Sequence, residues 1–247
     1  MNISSFLYRR LSSWVTCEFN ISNGAKISLK NKYEIASFQD VFCHPFYWQI
    51  YQWIDTKPKL IVDCGAHCGH FTILVNSCIC AKFHSTDTKY ILIEPNPRLI
   101  PIIEKNILQA DLQSSAQIKQ GLLGRQSGTD TLWVHPKNYL SASLHPSKGA
   151  EAFTVSYLDI NQIVGTQNID VMKIDIEGGE FDFVRANLDI FRRVKLVFIE
   201  LHQASDVLHK ELLDSLDNLG LHIMAETSEP TGHRLLILSR KSLASNL

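Results

Sequence analysis

The run Asp63-Cys64-Gly65-Ala66-His67-Cys68-Gly69 places a carboxylate just before a turn carrying two glycines. Gly65 permits a tight turn and close approach of a ligand, and Gly69 lets the chain pass closely into a following helix. The form D-x-G-x-x-x-G is not G-x-G-x-x-G, so the signature for cradling a pyrophosphate is incomplete. A carboxylate beside the turn also repels phosphate and suits a positively charged ligand. The ammonium and sulfonium of S-adenosylmethionine (SAM) are such groups. Further on, Glu94-Pro95-Asn96 sets an acidic residue where it can accept hydrogen bonds from ribose hydroxyls. NAD and SAM share that ribose, so Glu94 does not separate them, whereas Asp63 and the glycine spacing do. The plain structural alternative is that Asp63 caps the helix and the glycines merely turn.

A second set of polar residues follows. Lys173, Asp175 and Glu177 alternate with Met172, Ile174 and Ile176, which puts the three on one face of a strand. A lysine there is costly unless paired, so a structural ion pair with helix capping by Glu177 and Glu180 is one reading. The functional reading places Asp175 at the carboxyl end of the strand, where ligands of open α/β sheets bind. Glu200 and His202 share a face at the end of the next strand. His202 is then a candidate general base for an acceptor hydroxyl, oriented by Glu200 or Asp175. An ordinary hydrogen-bonded surface histidine is the alternative. Asp175 and Glu200 also offer oxygen ligands that suit a hard cation such as Mg²⁺. Ser141, Ser143 and His145 fall in a polar loop able to cover the acceptor.

These residues must be positioned by strands alternating with helices. KLIVDC, KYILIE, QIKQGLL, IDVMKID and VKLVFIELH read as strands, and the intervening segments as helices, one of them from about His70 to Ala81. Continuous apolar strands of this kind imply a parallel sheet covered on both faces. LHIMAET and RLLILS are joined too closely for a helix and predict an antiparallel hairpin at the sheet edge. Residues 1–55 read as an extension: an N-terminal amphipathic helix, a hairpin of KISLKN with KYEIASF around Asn31, and an aromatic helix, PFYWQIYQWI. Residues 56–247 form the main domain.

With 247 residues, 45% of them apolar, the chain can bury a full core without disulfides or metal. Lys plus Arg is 24 and Asp plus Glu 25, a balance that argues against non-specific nucleic-acid binding. No apolar run approaches a membrane span. Arg9 and Arg10 interrupt the only N-terminal apolar stretch, so no signal peptide is expected and the protein reads as cytoplasmic. The cysteines from Cys64 to Cys80, with His67, His70 and His84 nearby, invite a zinc reading. On a helix, however, Cys78 and Cys80 point apart, and Phe71, Leu74, Val75 and Cys78 form one apolar stripe.

IVDCGAHCGHFTIL, LIEPNPRLIPIIEKNI, IDVMKIDIEGGEFDFVRAN and VFIELH, in this order, resemble the FkbM family of SAM-dependent methyltransferases. Tyr157-Leu158-Asp159 resembles the family's lead-in to the third of these. The likeness runs from about residue 32 to 202, and K-I-D-I-E-G-G-E is its most specific part. It implies a seven-stranded, mostly parallel Rossmann-like sheet with helices on both faces. It further implies methylation of a hydroxyl on a sugar, a glycan or glycolipid unit, or a polyketide-like small molecule. Gln120, after the third strand, stands where such folds contact the adenine edge. The chain departs from the family at His67-Cys68, usually Asn-Ile, and at His70, usually an aromatic residue. A nicotinamide-dependent oxidoreductase and a non-catalytic protein keeping the fold are the competing readings.

Overall fold

The computed structural model describes residues 17–21, 24–30, 32–84, 87–124, 127–136, 138–229 and 232–240; the helix expected over the first residues lies outside them. Strands β1 (Cys17–Asn20) and β2 (Lys26–Leu29) form a hairpin, followed by α1 (Lys32–Phe42) and the short helices α2 (Pro45–Trp48) and α3 (Ile50–Trp53). Then come β3 (Leu60–Cys64), α4 (His70–Phe83), β4 (Lys89–Glu94), α5 (Ile100–Gln109) and β5 (Ala116–Gln120). An inserted arm holds β6 (Thr129–His135), β7 (Asn138–Ser143) and β8 (Glu151–Ser156). The chain continues through α6 (Ile160–Val164), β9 (Ile169–Ile174), α7 (Glu180–Ala186), α8 (Leu188–Phe191) and β10 (Val194–Leu201). It closes with α9 (Asp206–Asn218), β11 (His222–Ser228) and β12 (Arg234–Ser239).

The main sheet has seven strands in the order β11-β12-β10-β9-β3-β4-β5. Strands β10, β9, β3, β4 and β5 pair in parallel, while β12 runs antiparallel to both β10 and β11. The fold is therefore the expected Rossmann-like α/β sheet with its antiparallel C-terminal hairpin. Every residue of β3 and β9 is buried, as central strands covered on both faces require. Two apolar clusters cover the faces: Phe71, Leu74, Ile103 and Phe198 belong to one, and Val62, Met172, Phe183 and Leu212 to the other. After β3 the chain winds toward β5, and after β9 it winds the other way. The point where the order reverses thus lies between β3 and β9, where such sheets bind ligands.

Two local expectations are corrected. KYEIASF is helix, not strand: Ile35 is buried and Phe38 and Phe42 pack against the same core, a spacing of three and four residues. Lys26–Leu29 pairs instead with Cys17–Asn20, and Phe38 stacks on Phe19 with ring centres 4.6 Å apart. The extension is also tied down electrostatically, since the buried Glu34 of α1 meets Lys105 of α5 at 2.7 Å. The polar stretch after β6 is likewise not a loop. Ser141 and Ser143 lie on β7, which pairs with β6, and only His145 follows the strand. Among the described residues, no helix is long and apolar enough to cross a membrane.

Candidate active site

The turn after β3 is shaped by the chain's own backbone. Gly65 has φ +77, and a Cβ placed there would lie 1.6 Å from the Asp175 carbonyl oxygen. Its glycine is required because the ends of β3 and β9 nearly touch. The Gly65 and Ala66 N–H groups both donate to the Ile93 carbonyl, which locks the turn to β4. Gly69, also at φ +77, begins α4, and its α-carbon faces Ile103 and Leu92 in the core. His67 adopts φ +53, a strained conformation for a residue with a side chain.

Glu94 ends β4 with both oxygens engaged. Oε2 accepts the His67 N–H at 2.8 Å and Oε1 the Asn96 N–H at 2.9 Å. Burial pushes its carboxyl up to about 7, against the pull of those two N–H groups. Asn96 is itself buried and accepts the Arg98 N–H, so it shapes the turn behind Glu94.

Asp63 is buried, accepts the Thr72 hydroxyl at 2.8 Å, and lies 3.8 Å from the Lys173 ammonium. Lys173 Nζ also donates to the Gly65 carbonyl at 2.8 Å and to Asp175 at 3.0 Å. Burial disfavours the charge on Lys173, yet Asp175 and Asp63 outweigh it and hold its pKa above the usual value. Burial likewise raises the Asp63 carboxyl. For Asp175 burial acts upward too, but Lys173 overrides it and keeps the carboxyl low. One buried cation thus bridges two carboxylates and the glycine turn. Lys173→Met is expected to lower stability by about 3–5 kcal/mol, because it strands Asp63 without its counter-ion. The urea unfolding midpoint measures this, and adding Asp63→Asn in the same chain should restore part of it. No recovery would mean that the pair is not the source of the loss.

β9 ends at Ile174, so the strand alternation expected through Glu177 stops earlier than the sequence pattern implies. Lys173 and Asp175 do meet, but Glu177 sits in the following loop at φ +55. From there it reaches His202 Nε2 at 3.4 Å, while the buried Glu180 holds His202 Nδ1 at 3.0 Å. Burial opposes a charge on His202, but the hydrogen bonds to Glu177 and Glu180 and the nearby Asp175 raise its pKa to about 11. An imidazole already protonated cannot take a proton from a hydroxyl. Glu200, on the same side, is pushed up to about 7, first by burial and then by Asp175. Its Oε1 lies 3.9 Å from His202 and 3.0 Å from His233, a residue the sequence patterns did not single out.

A cleft of about 350 Å³ opens at the carboxyl ends of β3, β4 and β9. Its wall includes Gly65, His67, Glu94, Pro95, Gly121, Gly124, Asp175, Glu177, Gly178 and Asp182, and from the arm Asp130, Leu132, Ser143, His145 and Tyr157. An ion pair between Arg98 and Glu151 ties β8 beside it. Asp63, Ala66, Gly69, Asn96, Gln120, Lys173, Glu200 and His202 are not on this wall. The first six support or flank it, and Gly121 rather than the exposed Gln120 faces the cleft. Leu99, Asp130 and Asp182 line it without any advance signal in sequence, because they arrive from separate elements, and Tyr157 of the family-like lead-in joins them. A more open depression of about 650 Å³ beside β5, lined by Gln117, Lys119 and Gln162, shares Tyr157 with the cleft but none of its carboxylates.

The chemistry of the cleft wall discriminates between cofactors. Among the described residues its ionisable groups are Glu94, Asp130, Asp175, Glu177 and Asp182 with His67, His145 and Tyr157, and none is Lys or Arg. Carboxylates suit the hydroxyls and positive charges of SAM and disfavour a pyrophosphate. The donor set does not support Mg²⁺ held by Asp175 and Glu200. The acidic groups gather around imidazoles instead: Glu200 with His202 and His233, and Asp175 and Glu177 with His202.

A second residue pattern emerged only in three dimensions. The Ser37 hydroxyl of α1 lies 2.8 Å from His67 Nδ1 and 2.9 Å from His70 Nδ1, bridging both histidines of the turn to the extension. Burial lowers both imidazoles, His67 to about 4 and His70 to about 3, so they are neutral. His70 sits edge-on to Phe38 and Phe42, in an aromatic cluster where an aromatic ring fits naturally.

The profile described as Methyltransferase FkbM domain matches residues 63–223, about two-thirds of the chain. No curated protein matches the sequence significantly. Among solved structures, the chain resembles the precorrin-6y C5,15-methyltransferase of Geobacter metallireducens at 9% identity and a TM-score of 0.47, covering 80% of this chain and 89% of that one. An O-methyltransferase family protein from Burkholderia thailandensis shares 12% identity, with a TM-score of 0.48 and 85% and 59% of the two chains covered. The methyltransferase domain of METTL16 gives 12%, 0.46, and 80% and 83%. Likenesses this distant do not extend to acceptor or chemistry.

Proposed function

Since the chain belongs to the FkbM methyltransferase family, we propose that it moves a methyl group from SAM to a hydroxyl of a sugar, a glycan or glycolipid unit, or a polyketide-like small molecule. The observation that carries this reading is the acidic cleft at the point of sheet reversal, with five carboxylates on its wall, Glu94 at the end of β4 among them. Bound SAM supplies an electrophilic methyl on its sulfonium. Glu94 accepts the ribose hydroxyls, and the segment Gly121–Gly124 flanks the base. Asp175 faces the cleft as an anion, held so by Lys173, and accepts the proton of the acceptor hydroxyl as its oxygen bonds to the methyl carbon. Lys173 acts through Asp175 and is a positioning residue. Glu177 and the charged His202 hold one another at the cleft edge, which removes His202 from the role of base. Most of the acceleration comes from alignment of oxygen, methyl and sulfur. The same acidic wall repels phosphates, which disfavours nucleic acid as acceptor.

Calorimetric titration with S-adenosylhomocysteine, and with NAD in parallel, tests the donor. Saturable binding of the first and none of the second is expected; the reverse would overturn the reading. For Asp175→Asn, transfer from labelled SAM to a panel of glycoside acceptors should fall by about 10²–10⁴-fold while S-adenosylhomocysteine still binds. Full transfer by that variant would remove Asp175 from catalysis.

A further inference from the structure

At the edge of the cleft, beyond its wall, three donor atoms converge from the end of β10, the residue after it and the residue before β12. Glu200 Oε1 is 3.0 Å from His233 Nδ1 and 3.9 Å from His202 Nε2, and one ligand atom from each residue lies within 4.8 Å of the others. The two imidazoles are 4.5 Å apart between ring centres. A tetrahedral ion with bonds of about 2.0–2.2 Å spaces its ligands by roughly 3.3–3.5 Å, so small side-chain rotations close the set. We propose that Glu200, His202 and His233 form a binding site for a divalent ion of the zinc or iron(II) kind, through one carboxylate oxygen and two imidazole nitrogens, the ion taking the place of the proton on His202 Nε2, which is released to solvent.

Independent support comes from behind the cluster. His202 Nδ1 is directed at Glu180 Oε1, and that fully buried carboxylate oxygen is fixed in turn by the N–H groups of Ile176 and Gly178. A carboxylate holding one ring nitrogen is how ligating histidines are oriented, and it leaves Nε2 between Glu177 and Glu200. Two nitrogen donors select a borderline transition ion over Mg²⁺ or Ca²⁺. Glu177 Oε2, 3.4 Å from the same Nε2, and Asp175 lie on the side of the cleft. An ion at this site therefore borders the place where an acceptor hydroxyl enters, and ligation there would ease loss of the hydroxyl proton. That use rests on the methyl-transfer reading, whereas the binding itself does not.

The test is a Co²⁺ titration of the chelator-treated full chain, followed by visible d–d absorption. One saturable equivalent is expected, displaced by Zn²⁺ and not by excess Mg²⁺. His233→Ala, and separately Glu200→Gln, should weaken it more than tenfold while S-adenosylhomocysteine binding shows that each variant is folded. His233→Gln serves if the alanine variant is unstable. No saturable spectrum in the parent protein, a spectrum unchanged by these variants, or equal displacement by Mg²⁺ would each overturn the site. Loss of nucleoside binding with Co²⁺ binding intact would count against the proposed function alone.

Discussion

Replacing Glu94 with glutamine is expected to weaken S-adenosylhomocysteine binding by at least about 100-fold, and to remove its pH dependence. Each hydrogen bond from a ribose hydroxyl to a carboxylate is worth about 1.5–3 kcal/mol, and two such bonds are lost or weakened together. The free carboxyl titrates near 7, pushed up by burial. Binding needs the anion, so in the parent protein affinity should be level above about pH 7 and fall as pH drops below it. The stability of the ligand-free protein runs the other way. A folded carboxyl whose pKa is raised above its ordinary 4.5 holds a proton that the unfolded chain releases between those values. Its contribution is therefore most favourable below pH 4.5 and declines as pH rises through about 7. Subtracting the Glu94→Gln profiles from those of the parent isolates both slopes. Two slopes of the same sign, or a variant that still weakens below pH 7, would show that Glu94 is not the ribose carboxylate. Glutamine is the better replacement because it keeps an oxygen for the His67 or Asn96 N–H, which alanine would abandon.

Gly65→Ala should be the most damaging single methyl in the protein's cleft. The added carbon would lie 1.6 Å from the Asp175 oxygen and 2.7 Å from its carbonyl carbon, both backbone atoms that cannot rotate away. The Asp175 N–H is meanwhile bonded to the Cys64 carbonyl at 3.0 Å, so relief requires prising β9 from β3. A loss above about 4 kcal/mol is expected, enough to deplete the folded protein. Gly178→Ala is the control. It too has positive φ, at +94, but no atom lies within 4 Å of its Cβ position. Only backbone strain applies there, about 1–2 kcal/mol. Thermal melts of the two variants compare them directly. Equal losses would mean that conformation, and not the contact with Asp175, makes Gly65 necessary.

Most of the sheet was legible in the chain because its signals are local. LIVDC and IDVMKI are apolar runs bounded by turn residues, and the structure buries both completely. The hairpin of β11 and β12 follows from a connection too short to hold a helix. KYEIASF reads as a strand in sequence because seven residues satisfy either period, and helix prevails because Ile35, Phe38 and Phe42 share an apolar face. β7 is not legible in the sequence because Asn138–Ser143 holds no β-branched residue, yet it pairs antiparallel with β6.

The residue types and spacing of this chain determine its family, its parallel sheet, and the acidic residues that end its strands. Those features depend on neighbours along the chain, where periodicity and turn chemistry act. Tertiary structure alone decided which of those residues face a ligand. Asp63 and Lys173 turn inward to support the turn, Glu94 and Asp175 face the cleft, and His202 is charged by carboxylates of the loop after β9 and the first turn of α7. It also brought Ser37 to the glycine turn and His233 to Glu200, across separations of 30 and 33 residues. Protonation and partnership depend on burial and on distances through space, and neither is written in the order of the residues.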